Sequence, residues 1–224
     1  MLASVLCAVL SMSLAVPSGP SEQRPRLWFG FFMKGPGVRP ADPEALNKMQ
    51  AGHMANLQRL AAAKKLLAAG PLKDPTQQRR GIVVFRATTQ EEIKSFFAED
   101  DYVKAEIMTM AAWPWNADEE DIPQSYPDPN KIAENRFVIY TRTDKAISRE
   151  KLVEHRRYVR STLRASLYGD FGDQGPMVSV AFVAGNDHPD LPELAKNDPL
   201  VAAGLATVEV IPLWMVDGGL KKLN

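Results

Sequence analysis

Lys48–Leu72 reads KMQAGHMANLQRLAAAKKLLAAGPL, and the way it is parsed decides the architecture. Leu46, Met49, Leu57, Leu60 and Leu67 recur at helical spacing, so one face of the segment is apolar. His53 falls on that face, where an aliphatic side chain is expected. Asp42-Pro43 supplies an N-cap and first-turn proline, so a helix is expected from there to about Ala68. Gly70-Pro71 then turns the chain into extended structure.

Working outward, an apolar strand is expected at 27–33 and a β-rich run at 81–87. Thr89 with Glu92 has capping-box spacing and opens a second helix ending near Glu99-Asp100-Asp101. A last strand closes the unit within 105–115. The order then repeats. A strand is expected at 136–143, a helix from Ser148 to about Leu167, a turn at 169–175 and a strand at 177–184. A short helix at 191–196 and a strand at 206–215 follow. Each unit is thus β-α-β-β-α-β. The expected fold class is α+β, with two ferredoxin-like units packed as an intramolecular pseudo-dimer, sheets face to face and helices outside. The expected boundaries are 27–116 and 135–216. An acidic, proline-containing linker at 117–134 joins them, and 217–224 forms a tail.

This topology brings the start of the first helix, the turn after the second strand and the end of the second helix to one end of a unit. His53, Asp74 and Asp100 are therefore expected to converge. In the second unit His155 shares a face with Leu152, Val159, Leu163 and Leu167, while Asp170, Asp173 and Asp198 take the matching places. A carboxylate beside an imidazole fixes its tautomer and suits it to general acid–base work. The competing reading is a packed core histidine, and a duplicated pair can also persist as a relic.

The segment HMANLQRLAAAKKLLAAGPL, followed by AEDDYVKAEIMTMAAWPW, resembles the YCII-related domain family. The resemblance implies a ferredoxin-like fold related to the dimeric α/β barrels. It also implies a helix-1 His and an Asp after helix 2 as the catalytic pair, and dehydrochlorination of a hydroxylated ring in one branch. His53, Gly70, Pro71 and Asp100 fall on the motif, with Asp101 where a proline is expected. His155 and Asp198-Pro199 fall on it in the second unit, where Gly169-Asp170 lacks the proline.

Composition limits the alternatives. Lys+Arg and Asp+Glu both number 27 in 224 residues, so no charge excess favours nucleic acid or an anionic membrane. Cys7 is the only cysteine, which leaves no thiol chemistry for the folded part. Residues 1–26 read as a signal-like segment and linker, with cleavage after Ala15, and imply export; a mis-assigned start would imply a cytoplasmic protein. The mature chain is expected to have no membrane segment, and to be a monomer with an internal pseudo-dimer or a homodimer. His188 has no second histidine at ligand spacing, so no metal is expected, and no phosphate loop or other organic-cofactor motif is present. Trp115 and Trp214 end the last strands and are candidates, with Gly70 and Pro71, to contact an aromatic ligand. The expected function is cofactor-free lyase, isomerase or dehalogenase-type chemistry on a cyclic or aromatic small molecule. The alternative is a non-catalytic binding or structural pseudo-dimer with vestigial His/Asp sites.

Overall fold

The computed structural model describes residues 25–122, 131–186 and 188–220. The signal-like segment up to residue 24, the linker residues 123–130 and the tail residues 221–224 lie outside the described residues. In chain order the first half contains β1 (Arg26–Lys34), α1 (Pro43–Ala62), β2 (Leu66–Pro71), β3 (Arg79–Ala87), α2 (Gln90–Phe96), α3 (Asp101–Lys104) and β4 (Met108–Pro114). A two-residue β5 (Asn116–Ala117) and a 3-10 turn (Glu119–Asp121) lead to the second half. This half contains β6 (Ile132–Arg142), α4 (Arg149–Ser161), β7 (Leu167–Asp170), β8 (Met177–Val183), α5 (Leu191–Lys196), α6 (Pro199–Ala202) and β9 (Ala206–Val216).

The sheets have strand orders β2-β3-β1-β4 and β5-β7-β8-β6-β9, and their pairings are antiparallel. Each is the ferredoxin-like sheet expected from β-α-β-β-α-β. The sheets face one another across an aromatic core. Phe29 and Phe137 stack there with ring centroids 5.7 Å apart, and Phe182 and Trp115 pack around them. Separate apolar layers lie beneath the helices of each half. The sheet edges meet and close a barrel of the dimeric α/β type. On one side Leu72 bridges Leu213, and the Lys73 amide donates to the Pro212 carbonyl at 3.0 Å. On the other side β5, continuing from β4, pairs with β7.

The helix starts follow local chemistry. Asp42 accepts from the amides of Glu44 and Ala45 ahead of Pro43. Thr89 accepts from the Glu92 amide, while the Glu92 carboxylate reaches the Thr88 amide rather than that of Thr89. The helix ends differ from expectation. α1 stops at Ala62 instead of Ala68, and α4 at Ser161 instead of Leu167. After each helix the backbone passes through a left-handed residue, Lys64 (φ 55°) or Arg164 (φ 53°). The residues beyond enter β2 and β7, where Leu66, Leu67, Ala68 and Leu167 are buried. Burial against the barrel outweighs the helix propensity of AAAKKLLAA, which amounts to tenths of a kcal/mol per residue.

The expected linker is also partly built into the fold. Asn116 and Ala117 pair with Asp170 and Gly169, and Ile122 is buried. Asp118 binds Arg156 (2.9 Å) and Arg160 (3.2 Å), Asp121 binds Arg160, and Glu119 binds Arg86. Residues 116–122 thus strap the end of the first sheet onto α4.

Candidate functional site

His53 lies on the sheet-facing side of α1, and Asp100 caps α3 after the α2–α3 turn. The Nδ1 atom of His53 is 2.7 Å from Oδ2 of Asp100. The same oxygen accepts from Asn56 Nδ2 at 3.3 Å, and Oδ1 accepts from the Tyr102 amide at 3.1 Å. Burial pushes the Asp100 carboxyl up, but the bonds from His53, Asn56 and the Val103 amide together hold it below its ordinary value. Asp100 is therefore an ionised acceptor. It selects the His53 tautomer with hydrogen on Nδ1 and the lone pair on Nε2. Edge-on contacts from Phe32 (5.4 Å) and Tyr102 (5.5 Å) hold the ring. Nε2 makes no hydrogen bond among the described residues, and the side chain keeps 11% exposure.

The second half repeats the pair with one addition. His155 Nδ1 is 2.8 Å from Asp198 Oδ2, whose Oδ1 accepts from the Leu200 amide at 2.9 Å. Here Nε2 is also engaged, 2.7 Å from Ser179 Oγ. Both side chains of the pair have no exposure. Tyr140 (4.5 Å) and Tyr168 (5.8 Å) pack against the imidazole. Burial, followed by the nearby Asp198 charge, pushes the Tyr140 phenol well up; its hydroxyl has no partner among the described residues.

The other residues expected at the site go elsewhere. Asp74 does not join His53. It accepts from Thr76 and Arg79 inside the β2–β3 turn, a side-chain-to-backbone arrangement that acidic turn residues favour. Arg79 also grips Glu209 of β9 at 2.7 Å. Gly70 lies on the barrel seam, where an added Cβ would fall 2.1 Å from the Trp214 carbonyl oxygen. Trp115 is buried in the inter-sheet core, over Gly169. Gly70 and Trp115 therefore close the barrel, on the face away from His53; Trp214 meets the seam through its backbone, and its half-buried side chain lies on the face of β9 opposite Leu213 and Met215. Pro71 pairs with Gly81 on the edge strand, on the helix side. Ser179, Tyr168, Tyr140, Asn56 and Tyr102 complete the surroundings of the two imidazoles, and sequence reading missed them. A lone hydroxyl in the apolar run MVSVAFV was the available signal for Ser179.

Among the described residues no group of three His, Cys, Asp or Glu side chains could hold a metal ion. No described helix is long and apolar enough to cross a membrane.

Residues 34–116 match the YCII-related domain. No curated protein matches the chain. A heme-binding protein from Thermus thermophilus is similar in structure, with TM-score 0.51 and 8% identity over 87% of this chain and 92% of that one. The siroheme decarboxylase NirDL, solved with an iron-uroporphyrin III analogue, has TM-score 0.51 and 8% identity over 84% of this chain and 70% of that one. A 5-chloro-2-hydroxyhydroquinone dehydrochlorinase from Burkholderia phenoliruptrix, in complex with 2,5-dihydroxybenzoquinone, has TM-score 0.31 and 23% identity over 42% of this chain and 97% of that one. The first two likenesses are likenesses of fold.

Proposed function

We propose that the chain is a small-molecule enzyme whose acid–base group is His53, oriented by Asp100. One observation carries this reading: Nδ1 is committed to a buried carboxylate at 2.7 Å while Nε2 has no partner among the described residues. An imidazole so held can take a proton from a bound molecule at Nε2 and return it, with Asp100 stabilising the imidazolium formed in between. Phe32 and Tyr102 are themselves buried and fix the imidazole, leaving Nε2 as its unpartnered atom among the described residues; the substrate class we assign is the cyclic or aromatic one that the sequence resemblance implies. The chemistry is of the lyase, isomerase or dehalogenase type, in which one positioned proton transfer is the main demand on the protein. The match of residues 34–116 to the YCII-related domain supports placing the site in the first half.

The chain is read as two tandem copies of one unit, 27–116 and 135–216. The shared strand order and the repeated His–Asp bond support this. For the second copy the non-catalytic reading is favoured, because His155 and Asp198 are sealed from solvent.

The test is turnover of a panel of hydroxylated and chlorinated rings, with chloride release and ring isomerisation as readouts. Asp100→Asn and His53→Gln should each lose about 10²–10⁴ in kcat, the usual contribution of a positioned acid–base group. The 15N shifts of His53 should show hydrogen on Nδ1 in the native protein and a mixed tautomer in Asp100→Asn. Full turnover in His53→Gln would sink the proposal.

A further inference from the structure

The strand registers align the two halves residue by residue. Phe32 pairs with Gly81 as Tyr140 pairs with Ser179. Ala69 pairs with Val83 as Tyr168 pairs with Ala181. Phe32, Gly81 and Ala69 thus hold the positions of Tyr140, Ser179 and Tyr168, all on the helix-facing side. His53 and Asp100 correspond in turn to His155 and Asp198. These substitutions explain why one imidazole is engaged at both nitrogens and the other at one. In the second half a hydroxyl stands 2.7 Å from Nε2 and a phenol ring fills the adjoining space. In the first half the same two positions hold a hydrogen atom and a methyl group.

We propose that Ala69 and Gly81 open the His53 site, and that Tyr168 and Ser179 fill the matching site of the second half with the chain's own side chains. Each chain then presents one reactive imidazole, and residue 69 limits the size of what can reach it. The proposal rests on the reading of His53 as the acid–base group. It adds the residues that decide which of the two copies can bind. Ala69 is the better probe of the two, since an added Cβ at Gly81 would come within 2.8 Å of the Gly70 carbonyl oxygen.

The experiment is acylation of the full-length protein with diethylpyrocarbonate, followed histidine by histidine through peptide mass spectrometry. The reagent attacks an unprotonated imidazole nitrogen, and half-buried His188 serves as internal reference. In the native protein His53 should react at least about tenfold faster than His155, whose modification needs local opening. Ala69→Tyr should slow His53 by a similar factor and leave His188 unchanged; Ala69→Leu gives a smaller intrusion if the tyrosine impairs folding. Tyr168→Ala combined with Ser179→Gly should make His155 reactive. Equal rates for His53 and His155 in the native protein overturn the proposal, as does an unaltered His53 rate in a folded Ala69 variant. If these rates behave as expected while His53→Gln retains turnover, the acid–base reading fails and the account of access stands. Turnover that depends on His53 but ignores residue 69 does the opposite: the acid–base reading stands and the account of access fails.

Discussion

Gly70 sits so close to the Trp214 backbone that a methyl group on its Cα would lie 2.1 Å from the carbonyl oxygen. The obstacle is backbone of β9, with the Leu213 and Met215 side chains on either side at 3.0 Å. Neither strand can yield without parting the seam between β2 and β9. Gly70→Ala should therefore destabilise the fold by about 1–3 kcal/mol, the usual cost of overpacking. A urea denaturation curve measures this, and an unchanged midpoint would contradict the seam as described.

The buried pair in the second half should matter more to stability than the pair in the first. His155→Ala leaves the fully buried Asp198 without its imidazole and Ser179 without an acceptor. Breaking such a pair costs about 3–5 kcal/mol. In His53→Ala the Asn56 amide still bonds Asp100, so the expected loss is smaller. Chemical denaturation of the two variants side by side would rank them, and the opposite order would refute the comparison.

Arg79 joins the halves by holding Asp74 and Glu209 together. Burial pushes the Asp74 carboxyl up, but the bonds from Arg79 and Thr76 outweigh it and hold the group well below the usual carboxylate range. A carboxyl depressed by folding stabilises above its unfolded pKa, and the effect is lost as pH falls through the folded one. Arg79→Met takes the guanidinium from Asp74, which keeps its bonds from Thr76 and from the residue-79 amide, and should cost about 1.5–3 kcal/mol near neutral pH. Glu209→Gln removes only the exposed partner and should cost less than about 1 kcal/mol. Urea midpoints at pH 7 test both.

The same sign applies to Asp100, whose pKa is also lowered on folding. The native protein should lose stability as pH falls below about 4, where an unfolded carboxylate takes up its proton. Asp100→Asn can still cap α3 through its side-chain oxygen, yet it forfeits the charge. Its stability should fall less steeply between about pH 5 and pH 2. Denaturation midpoints across that range would show it, and parallel curves would refute a coupled Asp100.

Much of the site was legible because it depends on short-range pattern. The helical spacing from Leu46 to Leu60 puts His53 on the sheet-facing side, and Asp100 and Asp198 follow from the topology at the end of each second helix and from the resemblance of the flanking motifs. What escaped depends on contacts between distant segments. LLAAGP is extended because a barrel edge awaits it, and AAAKK alone argues for more helix. Asp74 was drawn to the site by topology, but Arg79, five residues on, claimed it first. Trp115 reads as a ligand-stacking ring because no local signal shows which side of a strand will be sealed by a second sheet. Ser179 was invisible for the same reason: its partner, His155, lies 24 residues earlier on a different element.

Both junctions that close the barrel join segments of one polypeptide. A barrel assembled from separate chains owes part of its stability to mass action and loosens on dilution. Here the halves stay within tether range of one another, so barrel closure is a first-order event. The microenvironment of each imidazole can then diverge freely: one covalent framework lets one half keep access to its histidine while the other gives that access up for packing.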